Sequence, residues 1–317
     1  MILEIKDKID KELPFLYDYV FFNKKHYLIP YDKNVDTSCI KEFIIKQIDT
    51  EDGYYFTSKL FQKKETSIKI DNIDIFKDGP LVIAGPCSID TYENLEAIAK
   101  YLVSKNIKFL RAGAFKPRTN PFSFKGHEDQ AMDYLKKIKD KYGLYLVVEL
   151  TSIALIEKYK DDVDIIQIGA RNMHNYELLK AAGKSKKPIL LKRGYQAKLS
   201  EFIGAAETIL AQDNPNVILC ERGIRNFEQS YRNVLDINAI IYLKEKSHLP
   251  IIVDPSHATG HDWMVEKACL AGLVAGADGL IVELHTNKED ALSDKEQTLN
   301  KKQFNHLLES IDKLKNL

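Results

Sequence analysis

The 317-residue chain carries 46 Lys and Arg against 46 Asp and Glu, a formal net charge of zero, with 44% hydrophobic and 29% charged residues. This is the composition of a soluble globular protein, and it leaves no net field to draw the molecule to nucleic acid or to an anionic membrane. No apolar stretch approaches the roughly 20 residues of a membrane span. Met1-Ile2-Leu3-Glu4-Ile5-Lys6 lacks a signal-peptide core, and Cys39, Cys87, Cys220 and Cys269 are dispersed, so a reducing cytoplasmic setting without disulfides is expected.

Residues 1–66 differ in texture from the rest. Residues 17–22 and 26–30 flank Asn23-Lys24-Lys25 and predict a β-hairpin. Asp36 or Thr37 caps a predicted helix reaching residue 45, and residues 53–57 and 59–61 predict further strand. Together they predict a small α+β module. Residues 67–70 and 72–76 predict a second short hairpin that covers one end of the next domain.

From Leu81 the pattern becomes regular. Apolar strand-like runs recur at 81–84, 108–111, 145–148, 165–168, 189–191, 217–219, 251–253 and 280–282. Amphipathic helical stretches separate several of them, at 92–104, 131–142, 202–211, 234–244 and 266–275, with a last one at 304–314. Eight strand–helix repeats over roughly 240 residues predict a closed (β/α)8 TIM barrel spanning 67–317. A doubly wound open sheet is the rival, but it has fewer strands and often a Gly-x-Gly-x-x-Gly turn that this chain lacks.

Closure has a chemical consequence, because strand eight then lies beside strand one. Cys87 follows the first strand, His257 the seventh, Glu283 ends the eighth, and Asp294 lies in the loop beyond it. Singly, each has an ordinary reading as core, cap or loop residue. On adjacent staves of one barrel face they form a mixed thiolate, imidazole and carboxylate set suited to one divalent ion (Mn, Fe, Co or Zn). The other half of the rim is basic: Arg111, Lys116 and Arg118, then Arg171, Lys192, Arg193 and Arg222. Lys192 extends directly from a buried strand and needs an anion. Glu149 and Glu221 read as structural partners of these cations. A metal beside several cations suits a reaction between two phosphorylated or carboxylated small molecules.

Gly85-Pro86-Cys87-Ser88, Lys116-Pro117-Arg118-Thr119, Ile168-Gly169-Ala170-Arg171-Asn172, Leu191-Lys192-Arg193-Gly194, Glu221-Arg222-Gly223 and Asp254-Pro255-Ser256-His257 fall in order along the strands. Over about residues 68–317 the chain resembles the 3-deoxy-D-arabino-heptulosonate 7-phosphate (DAHP) synthases, bacterial Iβ group. The resemblance implies condensation of phosphoenolpyruvate with erythrose 4-phosphate, with release of phosphate, as the first step of the shikimate pathway. It implies Cys87, His257, Glu283 and Asp294 as metal ligands. Arg111, Lys116, Arg171, Lys192 and Arg222 would hold phosphoenolpyruvate, Arg118 and Thr119 the aldose phosphate, and Asp254 the aldose hydroxyls. Lys116 would be the acid for the developing alkoxide, with Cys87 and His257 catalytic through the metal. One departure is Asp294-Lys295-Glu296-Gln297, where the family usually has Asp-Gly-Pro-Gln. Residues 1–66 would correspond to a ferredoxin-like regulatory or oligomerisation domain that closes over a barrel mouth or pairs with a neighbour. A homo-oligomer, dimer or tetramer, is expected.

Three rival readings fit the sequence less well. The sister enzyme that uses arabinose 5-phosphate usually carries Lys-Ala-Asn-Arg-Ser where this chain has Lys116-Pro117-Arg118-Thr119. A Schiff-base aldolase needs no Cys/His/Glu/Asp cluster, and a non-catalytic ligand sensor has no need to keep four intact ligands.

Overall fold

The computed structural model describes residues 1–50, 53–115, 126–288, 291 and 294–314. Its N-terminal sheet contains β1 (Ile2–Ile5), β2 (Tyr17–Phe22), β3 (Lys25–Pro30) and β4 (Ile44–Ile48), in the order β2-β3-β1-β4 and antiparallel throughout. A β-α-β-β-α-β unit makes the same sheet order. Here a 3-10 helix, Ser38–Phe43, occupies the second crossover. The helix expected to reach residue 45 therefore stops at Phe43. Ile44 and Ile45, β-branched and opposite β1, continue as strand instead.

Residues 53–61, expected as strand, are turns. Their backbone groups are satisfied by the barrel rather than by a sheet. The Glu207 carboxylate accepts N–H bonds from Tyr55 (2.8 Å), Phe56 (2.7 Å) and Thr57 (3.0 Å). His248 Nε2 donates to the Phe56 carbonyl at 2.6 Å, which leaves Nδ1 to accept from the Thr66 hydroxyl at 2.7 Å.

A short hairpin, β5 (Lys69–Ile70) and β6 (Ile73–Asp74), leads into the barrel. Strands β7 (Leu81–Gly85), β8 (Phe109–Arg111), β9 (Tyr145–Glu149), β10 (Ile165–Ile168), β11 (Ile189–Lys192), β12 (Val217–Glu221), β13 (Ile251–Val253) and β14 (Gly279–Glu283) close in sequence order, β14 pairing β7 in parallel. Between them run α1 (Tyr92–Ser104), α2 (Glu128–Tyr142), α3 (Ile153–Tyr159), α4 (Tyr176–Lys184), α5 (Leu199–Leu210), α6 (Ile237–Lys246), then α7 (Pro255–Thr259) and α8 (Asp262–Val274), with α9 (Lys301–Leu314) after β14. The expected starts and stops are used: the Thr91 side chain caps α1, and Gly143 ends α2 at φ 64°.

The inside of the barrel is one apolar cluster of Leu81, Ile83, Phe109, Val147, Ile165, Leu190, Ile218, Cys220, Ile252 and Ile281. Ile68, Ile70 and Ile75 join it from the hairpin, which stoppers the N-terminal ends of the strands. His248 precedes β13, and Glu207 lies in the last turn of α5, so residues 54–66 are seated at that same end. Within this chain the first module therefore contacts the end opposite the C-terminal mouth.

Glu207→Ala is expected to cost about 3 kcal/mol, the scale of charge-assisted bonds to a carboxylate. It should lower the urea midpoint and speed hydrogen exchange at Tyr55–Thr57 while leaving turnover within about twofold. Unchanged exchange there would mean that Glu207 does not hold the segment.

Candidate active site

Strand parity builds the site. Side chains two apart share a face, so each inward apolar position is followed by one at the mouth. Phe109 leads to Arg111, Val147 to Glu149, Ile165 to Gln167, Leu190 to Lys192, Cys220 to Arg222, Ile252 to Asp254 and Ile281 to Glu283. On β7 the same parity runs through Ile83 and Gly85 to Cys87. Gly85 has φ 151°, and a Cβ there would lie 2.1 Å from the Arg111 carbonyl oxygen, so the close approach of β7 to β8 requires glycine.

Donor atoms of Cys87, His257 and Glu283 all lie within 4.8 Å of one another. His257 is positioned by its own motif. Asp254 caps α7, accepting the His257 N–H at 3.1 Å, and Pro255 occupies the first helical turn. Asp254 Oδ2 also accepts from His257 Nδ1 at 2.8 Å, which turns Nε2 toward Glu283 Oε1, 3.3 Å away. Burial lowers the His257 pKa despite the two carboxylates, so the ring is neutral at neutral pH and its Nε2 is a lone-pair donor. Glu283, 1% exposed, takes 2.8 Å and 2.5 Å bonds from Arg111 Nη1 and Gln297 Nε2. Asp294 adopts φ 57° and accepts from Cys87 Sγ at 2.9 Å through Oδ2, while its Oδ1 pairs with Arg232 at 3.1 Å. Burial works against the Asp294 charge, but Cys87, His257 and Arg232 outweigh it and hold the pKa well below the carboxylate range. Asp294 thus joins the cluster at its Cys87 side, even with Lys295-Glu296 in place of Gly-Pro.

A soft thiol, an imidazole nitrogen oriented by a carboxylate, and carboxylate oxygens at these separations fit a divalent ion. Bonds of ~2.0–2.3 Å leave ligand atoms roughly 3–4 Å apart.

Lys192 and Asp254, 4% and 1% exposed, form a buried ion pair with each other. Lys192 and His257 together hold the Asp254 pKa well below its usual value in spite of burial. Both Asp254 oxygens accept bonds within the chain, Oδ1 from the His257 N–H and Oδ2 from His257 Nδ1 and Lys192, so Asp254 holds His257 and Lys192 in place. Arg193 turns away from the mouth to Glu221 and Asp236, both at 2.9 Å, which makes Glu221 the structural partner expected. Glu149 accepts from Gln167 at 3.3 Å, and a Cβ on Gly169 would lie 2.0 Å from its Oε1.

The mouth is a cavity of about 340 Å³ lined by Arg111, Arg171, Lys192, Arg222, Arg225 and Arg232, together with Glu149, Gln167, Tyr195, Asn233, His257 and Asp294. Arg222 is 4% exposed, burial lowers its pKa, and its guanidinium donates to the Gly223 carbonyl at 3.3 Å. No carboxylate among the described residues pairs with Arg222 or Arg171. A buried cation of this kind asks for an anion. Lys116, Arg118 and Thr119 lie outside the described residues. Sequence reasoning missed Gln167, Tyr195, Arg225 and Arg232; strand parity alone would have found Gln167.

The sequence model of the DAHP synthetase I family matches residues 61–317. The chain belongs to the DAHP synthetase I family. It is similar to the phospho-2-dehydro-3-deoxyheptonate aldolase of Thermotoga maritima, 43% identical over 261 residues that cover 82% of this chain and 77% of that one. A 2-dehydro-3-deoxyphosphooctonate aldolase of Geotalea uraniireducens is 28% identical over 246 residues, 72% of this chain and 89% of the other. Among solved structures, the T. maritima DAHP synthase superposes with a TM-score of 0.81 at 37% identity, covering 95% of this chain and 90% of that one. A truncated form of the same enzyme gives 0.77 at 42%, covering 82% and 96%. The greater coverage by the untruncated enzyme shows that the likeness extends into the N-terminal module. Membership of the DAHP synthetase I family makes the chain an enzyme of the DAHP synthase type. The closed eight-stranded barrel is the architecture its sequence predicts. No helix among the described residues is long and apolar enough to cross a membrane.

Proposed function

We propose that the chain condenses phosphoenolpyruvate with erythrose 4-phosphate to give 3-deoxy-D-arabino-heptulosonate 7-phosphate and inorganic phosphate. One observation carries the reading: the Cys87/His257/Glu283 cluster shares a mouth with a buried guanidinium, Arg222, for which the described residues supply no carboxylate. Arg222 and Arg171 take the phosphate of phosphoenolpyruvate, where charge-assisted and bidentate bonds are available. Lys192 and Arg111 complete the binding of that substrate; Arg111 Nε is buried without a partner among the described residues. Arg118 and Thr119 hold the aldose phosphate, and Lys116 delivers a proton to the developing alkoxide. Cys87, His257, Glu283 and Asp294 would hold one divalent ion (Mn, Fe, Co or Zn). When bound there, such an ion supplies Lewis acidity toward the aldehyde oxygen.

In the reaction, carbon 3 of phosphoenolpyruvate forms a bond to the aldehyde carbon, and the aldehyde oxygen gains the proton. Carbon 2, left electron-poor, takes up water, and the hemiketal phosphate breaks its C–O bond to release phosphate. The cations that bind the phosphate also stabilise it as it leaves. Residues 1–66, seated at the opposite barrel end, serve regulation or assembly rather than chemistry, and the working enzyme is a dimer or tetramer.

Phosphate release tests the reading. Turnover with erythrose 4-phosphate at least 100-fold above that with arabinose 5-phosphate is expected. The opposite preference would assign the chain to the octulosonate branch seen at 28% identity.

A further inference from the structure

Tyr195, in the loop after β11, is half-buried and lines the mouth. Three guanidiniums surround its ring, with Cζ atoms 4.7 Å (Arg222), 4.9 Å (Arg225) and 5.7 Å (Arg171) from the centroid. Arg171 follows β10, while Arg222 and Arg225 follow β12, so cations from the staves on either side of β11 meet on one aromatic ring. The other described mouth cations have carboxylate partners: Arg111 with Glu283, Lys192 with Asp254 and Arg232 with Asp294. Among the described residues no ion pair is formed by Arg171, Arg222 or Arg225. Three guanidiniums at one place repel one another. The Asp254 charge offsets this at Arg222, and the negative face of the aromatic ring is the group that reaches all three, since guanidinium planes lie well against it. The backbone takes part as well, since the Tyr195 carbonyl accepts the Arg225 N–H at 2.8 Å and ties the two loops together.

We propose that Tyr195 is a positioning residue, whose ring gathers Arg171, Arg222 and Arg225 into one cradle for a phosphate group, with Arg225 as a third arm. The inference rests on the reading of this mouth as the phosphoenolpyruvate site and goes beyond it by naming what assembles the anion-binding groups. Side-chain replacement leaves the carbonyl bond to Arg225 intact, so the ring can be tested by itself.

The test is calorimetric binding of inorganic phosphate and of phosphoenolpyruvate to the metal-loaded enzyme, beside steady-state kinetics. Wild type, Tyr195→Leu, Tyr195→Met and Tyr195→Phe are compared. With the ring gone, affinity for both ligands should fall roughly tenfold, the combined scale of several cation–π contacts. KM for phosphoenolpyruvate should rise in step, with kcat and KM for the aldose nearly unchanged. Tyr195→Phe should bind as wild type does, because it keeps the ring. Leu and Met variants that bind phosphate normally would overturn the proposal. So would a Phe variant as weak as Leu, which would transfer the task to the hydroxyl. A wild type that binds phosphate but not phosphoenolpyruvate would refute the functional reading alone, with the ring's role still supported if Tyr195→Leu loses the phosphate.

Discussion

Cys87→Ala is expected to emerge from purification without its divalent ion and with turnover lowered by roughly three orders of magnitude, the scale of losing several kcal/mol of Lewis-acid stabilisation. Cys87 contributes the sulfur of the cluster and is also the atom against which Asp294 rests. Its loss removes one ligand and loosens a second. The barrel should survive, since Cys87 stands beyond the last residue of β7 and makes none of the β7–β8 or β7–β14 ladder pairs. Metal analysis beside circular dichroism of the variant checks both halves. Stoichiometric metal with normal turnover in Cys87→Ala would remove this residue from the site.

Arg222→Met should pull function and stability in opposite directions. In the free protein Arg222 is a buried guanidinium that forms no ion pair among the described residues, and the nearby Asp254 charge only partly offsets its desolvation. Replacing it with an apolar side chain of similar length should raise the thermal midpoint, as replacing buried charges often does. The same change should weaken phosphoenolpyruvate by roughly 10- to 150-fold, the equivalent of 1.5–3 kcal/mol for a bond to a charged group. Lys192→Met should behave differently. It strands the Asp254 carboxylate, 1% exposed, with only neutral donors from His257 for partners, and should cost about 3–5 kcal/mol of stability. Melting curves and phosphoenolpyruvate titrations of the two variants decide the matter. Equal destabilisation of both, with normal binding by Arg222→Met, would contradict the division between an anion-seeking arginine and an internally paired lysine.

That division marks where sequence reasoning stops. The barrel was legible because each strand is a short apolar run, most of them ending at or beside a charged residue, and eight such runs predict closure, which brings Cys87, His257 and Glu283 together. The fate of individual charges was not legible. Lys192 and Asp254 stand 62 residues apart, as do Arg232 and Asp294. A motif gives residue types but not the direction in which a hydrogen bond is made, so the bonds of Asp254 to His257 and Lys192 do not follow from it. In the N-terminal module, β1 is only four residues long and gives no clear strand signal, although it is one of the two central strands of the sheet. Residues 44–45 were drawn into a helix because two isoleucines after Phe43 satisfy helical spacing as readily as strand spacing. Residues 53–61 contain strand-forming aromatics, but Tyr55, Phe56 and Thr57 spend their N–H groups on Glu207, a long-range partner no local pattern reveals.

The central claim is that a metal and an anion occupy one barrel mouth. It is tested most directly by the anomalous difference map of a crystal grown with manganese and phosphoenolpyruvate. The account predicts one manganese peak within ~2.0–2.5 Å of Cys87 Sγ, His257 Nε2 and a Glu283 oxygen. It also predicts the substrate phosphate on Arg171 and Arg222 in the same cavity. A manganese peak away from Cys87, or a phosphate bound outside the ring of Arg171, Tyr195 and Arg222, would contradict it.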